Sequence, residues 1–366
     1  MNIVAAIATH PDQPFEMAEV ELSDPQPEEI IVRISGVGLC HTDLIAKAGL
    51  MPFSLPAVLG HEGSGVVERV GETVRKVRPG DRVTLSFRSC GECRRCRAGE
   101  PAYCHTMPQL NYAGMREDGS STISRNGQPV ASCFFGQSSF ATMAIAYERN
   151  VIKVPLDVPL ELMGPLGCGI QTGAGAIMRS LSCESGSTLL VLGGGAVGLS
   201  AVMAARIQDC SEIIVVEPYA ARRELALELG ATVAIDPTNI SDLPSEVRRS
   251  VPIGVDYALD TTGIPKILES TMQCLGPHGE FGIVGVPPVG TRAPGDLLSM
   301  ITYGHSVKGI IEGDSDPDHF IPQLISLYQN GLLPFDKLVK TYRLEDINLA
   351  IEDQLNGDCI KVVLVP

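Results

Sequence analysis

The sequence predicts an α/β protein in which a doubly wound, parallel, six-stranded sheet is joined to a second, mostly β domain. Three observations predict it. The chain has 366 residues, 44% hydrophobic and 19% charged, which exceeds the size at which a single core usually stops growing. From Met1 to about Tyr147, short apolar runs are broken by Gly and Pro, the pattern of short strands at close spacing. From Thr188 onward, strand-like runs alternate with segments of helical period, the rhythm of parallel strands joined by crossover helices.

In the first region the expected strands include 30–34, 63–70 and 82–85, the last entered through Pro79-Gly80-Asp81. The pattern changes around Leu166. Strands are then expected at 188–192, 212–217, 232–235, 255–260, 280–286 and 306–311, with helices at 196–208, 220–229 and 265–275 between several of them. Six strands with crossovers spell a doubly wound sheet. The tail carries helix patterns at 320–330 and 344–355 and a strand at 360–365.

Charge and composition exclude several classes of function. The formal net charge is -15 and the pI about 4.9, so DNA or an acidic membrane surface would be repelled over most of the molecule. Residues 1–14 lack the basic start and apolar run of a secretory signal, and a cytoplasmic location is expected. The long uncharged stretch 189–205 contains Gly193, Gly194, Gly195 and Gly198 and fits strand, turn and helix, which favours a buried soluble segment over a membrane span. Eleven cysteines without an export signal point to metal ligation and packing rather than disulfides.

Residues 189–192 run into Gly193-Gly194-Gly195-Ala196-Val197-Gly198, a G-x-G-x-x-G opening a helix. Gly193 permits the tight turn, Gly195 lets the backbone approach a pyrophosphate, and Gly198 lets the helix sit close to the strand. The helix N-terminus, with Val197 in its first turn, offers N–H groups and positive dipole to the phosphates. A β-rich run ends in Glu217, about 20 residues beyond the loop, where a carboxylate accepts from the adenosine ribose. It would also repel a 2′-phosphate, so NAD is expected over NADP, a preference tempered by Arg222 and Arg223.

Cys90, Cys93, Cys96 and Cys104 form C-x2-C-x2-C-x7-C in a short loop bearing Gly and Arg. Four thiolates in that span can close a tetrahedron around one structural zinc and leave no position for substrate. Closely spaced cysteines also ligate iron–sulfur clusters; a second zinc-like set elsewhere favours zinc. That set comprises Cys40-His41-Thr42-Asp43, Gly60-His61-Glu62 and Gly167-Cys168-Gly169, too far apart for any spacing rule to assemble.

The run from Gly60 through His61, Glu62, Gly63, Ser64, Gly65, Val66 and Val67, the Pro79-Gly80-Asp81-Arg82-Val83 turn, the four cysteines and Gly167-Cys168-Gly169 ahead of the glycine loop resemble, in order and over essentially the whole chain, the zinc-dependent medium-chain alcohol dehydrogenases. Residues 134–141 (Phe134-Phe135-Gly136-Gln137-Ser138-Ser139-Phe140-Ala141) and 307–315 further resemble the aryl-alcohol (benzyl alcohol) branch. The resemblance implies a GroES-like catalytic domain at 1–168 and 312–366 around a Rossmann dinucleotide-binding domain at 169–311. It implies Cys40, His61 and Cys168 as catalytic zinc ligands with a fourth position open. Asp43 is then the acid that orients the imidazole, Glu62 a carboxylate near the metal, and Thr42 the hydroxyl that takes the alcohol proton. His41 and Lys361 are implied at the pyrophosphate, Thr172 near the nicotinamide and Arg222 beside the adenosine.

The implied activity is oxidation of a primary alcohol to an aldehyde with two zinc ions and NAD per chain, in a homodimer or homotetramer whose partners are small molecules. Family positions put Met51, Phe87, Phe134, Phe135, Val286 and Ile311 at the substrate pocket. All are apolar and suit benzyl, cinnamyl or allylic terpenoid alcohols over polyols, whose hydroxyls would lose about 1–3 kcal/mol each unpaired. One departure matters: many relatives end the proton relay in a histidine where this chain has Ile45. Rivals are a zinc polyol or amino-alcohol dehydrogenase and a catalytically silent nucleotide-binding protein.

Overall fold

The structure, a computed structural model, describes residues 1–366. The chain divides into two compact units, one of Met1–Cys168, Asp316–Gln329 and Asp336–Pro366, the other of Gly169–Ser315 and Asn330–Phe335.

The first unit is built on two sheets. A five-stranded sheet runs in the order Ala57–Val58, Asn2–Ala8, Glu16–Leu22, Ile123–Arg125, Gln128–Val130. A seven-stranded sheet centres on Glu29–Leu39, which pairs antiparallel with Gly63–Val70, Met143–Tyr147 and Lys361–Val365. That strand is buried along most of its length, as a strand flanked on both edges and covered on both faces must be. Its register with Gly63–Val70 breaks twice, and such bulges bend a sheet and re-aim its side chains. Leu39 and Gly63 therefore deliver Cys40 and His61 from adjoining strand ends.

The second unit holds a six-stranded parallel sheet in the order Val233–Ile235, Glu212–Val216, Thr188–Leu192, Val255–Asp260, Leu275–Ile283, Ser306–Gly309. This is the doubly wound order, with the sequence-first strand Thr188–Leu192 at the switch point. Leu190, Ile214, Ala258 and Phe281 lie within one apolar cluster on the sheet.

Several boundaries differ from the sequence expectation. The strand expected at 280–286 spans Leu275–Ile283, because the N–H groups of Val284 and Gly285 both turn to the carbonyl of Asp260 and leave the ladder. Among the helices not anticipated, two connect strands of this sheet. Leu243–Ser250 carries a proline in its first turn, where proline is tolerated, and is capped by Asp242 accepting from the Ser245 N–H at 2.9 Å. Leu297–Tyr303 buries no residue and so lacks the amphipathic period that marks a helix in sequence. The stretch 189–205 resolves into the strand Thr188–Leu192 and the helix Ala196–Ile207, and no helix is long and apolar enough to cross a membrane.

Gly198 shows how tightly that strand and helix meet: a Cβ there would lie 1.9 Å from the carbonyl oxygen of Gly193. Gly198→Ala should therefore destabilise the second unit by about 1–3 kcal/mol through overpacking, read as a lowered midpoint in denaturant unfolding.

Candidate active site

Cys40 stands where the strand Glu29–Leu39 ends and the helix His41–Lys47 begins, with extended N-cap geometry. Asp43, in the first turn, reaches back: its Oδ2 accepts the Cys40 N–H at 3.0 Å. Its Oδ1 accepts the Gly60 N–H at 3.0 Å and lies 3.0 Å from Nδ1 of His61. Both Asp43 and His61 are fully buried. With Nδ1–H donating to the carboxylate, the tautomer assigned from these bonds turns the Nε2 lone pair the other way. Nε2 is buried and has no hydrogen-bond partner.

The ligand atoms of Cys40, His61, Glu62 and Cys168 all lie within 4.8 Å of one another. Cys168 follows the turn Gly164–Gly167, pinned by Ser86 Oγ donating to the Gly167 carbonyl at 2.7 Å and Thr84 Oγ1 donating to that of Met163 at 3.0 Å. The Cys40 thiol is held well below its usual range, by hydrogen bonding with Cys168 first and then by His61, against the opposing effect of burial. Burial opposes charge on His61 too, yet Asp43 and then Cys40 outweigh it and raise its pKa well above the ordinary value. Nε2 thus sits in electrostatic reach of the Cys40 sulfur without hydrogen-bond alignment. One sulfur primed as a thiolate, a second sulfur beside it and a dry imidazole nitrogen lacking a partner fit a zinc ion.

Glu62 is fully buried, and Lys361 places its Nζ 2.5 Å from the carboxylate and 3.0 Å from the carbonyl of Leu39. Burial pushes Glu62 upward while Lys361 draws it down. Burial works against Lys361, but Glu62 and Cys40 hold its ammonium above the ordinary value. Lys361 is 2% exposed, so it is neither a solvated surface lysine nor free to serve a pyrophosphate without sharing its charge with Glu62. Thr42 is half-buried with Oγ1 3.6 Å from Cys40 Sγ, and His41 is exposed. Ile45 is buried.

One positioning residue was quoted in the sequence only as part of a motif. Gln137, 2% exposed, donates to the His61 carbonyl at 2.8 Å, while its Oε1 accepts from the Gly63 N–H at 3.0 Å and Ser139 Oγ at 2.6 Å. A lone Gln in a motif gives no sign of such a role; only the fold brings residue 137 to strand 63.

Cys90, Cys93, Cys96 and Cys104 also converge within 4.8 Å. Cys93 Sγ lies 3.5 Å from Cys96 Sγ, and the Cys90 and Cys93 N–H groups point at Cys104 and Cys90 sulfurs, each at 3.3 Å. Backbone N–H groups, that of Cys96 first, bring Cys93 down to about 6, whereas burial drives Cys96 to about 12. N–H groups aimed at sulfur are what a thiolate metal site requires.

In the second unit, Gly193 has φ +99°, Gly195 N-caps the helix Ala196–Ile207 with nothing within 4 Å of a built Cβ, and Val197 is half-buried. Glu217 is 3% exposed; its two oxygens accept from Gly194 N–H at 2.6 Å and Tyr219 N–H at 2.9 Å. Arg223 is tied to Asp236 at 3.0 Å and to the carbonyls of Glu217 and Pro218, while the Arg222 guanidinium covers the Tyr219 ring at 4.8 Å. Thr172 is buried on the helix Gly169–Gly175.

Of the expected pocket residues, Phe134 and Phe135 pack on His61 itself: Phe135 stacks at 4.4 Å and 24°, Phe134 meets the imidazole edge-on at 5.4 Å and 88°. Phe87 is buried and Met51 half-buried in the same unit. In the second unit, Ile311 is half-buried and Val286 is 64% exposed.

Residues 26–156 match the alcohol dehydrogenase GroES-like domain family, and residues 196–330 the zinc-binding dehydrogenase family. The chain is 47% identical over 362 residues to geraniol dehydrogenase of Castellaniella defragrans, covering 99% of this chain and 97% of that protein. Among solved structures, it superposes on an alcohol dehydrogenase zinc-binding domain protein from Burkholderia ambifaria with TM-score 0.97 at 47% identity, covering 100% of this chain and 99% of that one. Benzyl alcohol dehydrogenase from Acinetobacter calcoaceticus superposes with TM-score 0.96 at 41% identity, over 100% and 99% of the two chains. With its metal-fitting cysteine and histidine clusters and its doubly wound sheet, the chain belongs to the family of zinc-binding, GroES-like alcohol dehydrogenases.

Proposed function

We propose that the protein oxidises primary aromatic or allylic alcohols to aldehydes with NAD, using a catalytic zinc held by Cys40, His61 and Cys168 and a structural zinc held by Cys90, Cys93, Cys96 and Cys104. The observation that carries this is the buried, partnerless Nε2 of His61, close to two cysteine sulfurs and a carboxylate. When bound, zinc supplies the Lewis acidity that lets an alcohol ionise near neutral pH, and NAD accepts the hydride.

The chain's own residues do the rest. Asp43 keeps His61 in the ligand tautomer, and the two thiolates offset a dication so that a neutral aldehyde can leave. Thr42, next to Cys40, takes the alcohol proton. Ile45 offers no imidazole to pass it on, so the proton leaves Thr42 by a route other than a side chain at that position. Glu217 supports NAD over NADP: its carboxylate stands at the loop where a ribose hydroxyl would donate, and Arg223 is already paired with Asp236.

The substrate class draws on relatives that are a geraniol dehydrogenase and a benzyl alcohol dehydrogenase, and on the apolar side chains of the first unit near the cluster, such as Phe134 against His61. A homo-oligomer formed through the second unit is supported by Leu297, Leu298 and Ile301, 77%, 74% and 80% exposed on one helix, a density of exposed apolar surface that marks interfaces. A cytoplasmic location is supported by eleven free cysteines, which suit a reducing compartment.

Benzyl alcohol and geraniol should reduce NAD, sorbitol and threonine should not, and prior chelation should abolish the rate; equal rates with sorbitol would refute the substrate class. Thr42→Ala should lower kcat about 10²–10⁴-fold, the usual range for losing a positioned proton acceptor, and parental turnover would remove Thr42 from the reaction. Asp43→Asn should weaken catalytic zinc about 10–100-fold, measured as zinc per chain after dialysis against a chelator, with the four-cysteine zinc as internal reference.

A further inference from the structure

The turn that carries Phe134 and Phe135 is strained beyond what lining a pocket demands. Cys133 (φ +61°), Phe135 (φ +51°) and Ser138 (φ +55°) are non-glycine residues in the left-handed region, with Gly136 (φ +68°) among them. Side chains rarely adopt that conformation, and it persists only where surrounding contacts over-determine it. Those contacts are present. Ser138 Oγ donates to the Val58 carbonyl at 2.6 Å and accepts the Phe134 N–H at 3.0 Å, and Asn150 Nδ2 lies 3.2 Å from the carbonyls of both Phe135 and Gly136.

What the strained turn secures is a flat aromatic face on the imidazole. Phe135 is 4% exposed and therefore has little surface to offer a substrate, but its ring lies 4.4 Å from that of His61 at 24°. Asp43 fixes His61 at one atom, Nδ1, and a ring held at one atom can still tilt about that point. A stacked neighbour removes the tilt. Phe135 is met in turn by the edge of Tyr112 at 5.3 Å and 72°. Tyr112 ends the helix Met107–Tyr112, which leaves the four-cysteine loop just after Cys104. Asn111 ties that helix to the other end of the loop, accepting the Arg88 N–H at 2.8 Å and donating to the Arg88 carbonyl at 2.9 Å.

We propose that Phe135 is a positioning residue that holds the plane of the His61 imidazole, and that Tyr112 backs it from the four-cysteine lobe. The assignment rests on the reading of Cys40, His61 and Cys168 as a metal site. Aromatic pairs of this kind contribute beyond their buried area, so their loss should be visible at the metal without abolishing the fold.

The test uses the holoenzyme with cobalt(II) exchanged into the catalytic site, and compares Phe135→Leu, Tyr112→Leu and Tyr112→Phe. Three quantities are read: the ligand-field absorption bands, the rate of catalytic metal transfer to a chelator, and kcat against KM for benzyl alcohol. Phe135→Leu is expected to shift the bands, speed metal release about tenfold, equivalent to about 1.4 kcal/mol, and lower kcat more than it raises KM. Tyr112→Leu is expected to act in the same direction, and Tyr112→Phe, which keeps the ring edge, to shift the bands and the release rate less than Tyr112→Leu does. If Phe135→Leu fails to fold, the two Tyr112 variants decide. Unchanged bands and release rate in folded Phe135→Leu, or an effect confined to KM, would overturn the proposal in favour of plain pocket lining. A parent protein that binds one metal per chain would instead overturn the ligand assignment, and the positioning role with it.

Discussion

The carboxylate of Asp43 is the point on which the first unit's geometry turns. Three groups from separate stretches of chain converge on it: the N–H of Cys40, the N–H of Gly60 and Nδ1 of His61, each at 3.0 Å. One side chain thereby sets the start of a helix, the turn ahead of a strand and the tautomer of an imidazole. A buried charge with three donors is satisfied; with one removed, it carries a desolvation cost of about 1–3 kcal/mol or more. Sulfur, nitrogen and helix are therefore placed together or not at all.

The rest of this irregular unit is held in the same manner, by buried polar groups where regular ladders run out. Glu29, fully buried, receives the Arg116 guanidinium through two contacts of 2.7 Å, and Gln137 and Asn150 hold the turn between them. Such pairs add little net stability compared with apolar replacements, but removing one member is costly, typically about 3–5 kcal/mol. Their effect is to permit a single arrangement of strand ends around the sulfurs. The doubly wound unit rests more on the continuous apolar runs that its parallel strands bury between helices, with buried carboxylates such as Glu217 and Asp260 confined to the loops at strand ends.

How much of this was legible in sequence follows from the same contrast. The doubly wound strands could be read because period and glycine spacing are local signals: strand 188–192, the loop at Gly193 and the helix after it are fixed by neighbours in the chain. The four cysteines were legible for the same reason. The capped helix Leu243–Ser250 escaped because proline in a first turn looks like a break, and Leu297–Tyr303 because its apolar residues face outward. At the site, Cys40, His61 and Cys168 carry no mutual spacing and could be joined only through family resemblance. The resemblance in turn gave no warning that Phe135 lies flat on His61, that Gln137 supports the same strand, or that Lys361 is buried against Glu62. Those depend on side chains meeting across sheets, which no period records.

The buried ion pair between Glu62 and Lys361 has a temporal side. Glu62 and all three candidate ligands are translated well before Lys361, whose strand Lys361–Val365 must slot beside Glu29–Leu39 to bring the ammonium in. A nascent chain thus owns the sulfurs and the imidazole while one carboxylate nearby lacks its neutralising charge. Until that strand docks, Glu62 lacks its ammonium partner, and the cluster carries one more uncompensated negative group than in the folded chain. Docking of the strand then brings in the ammonium that offsets this charge.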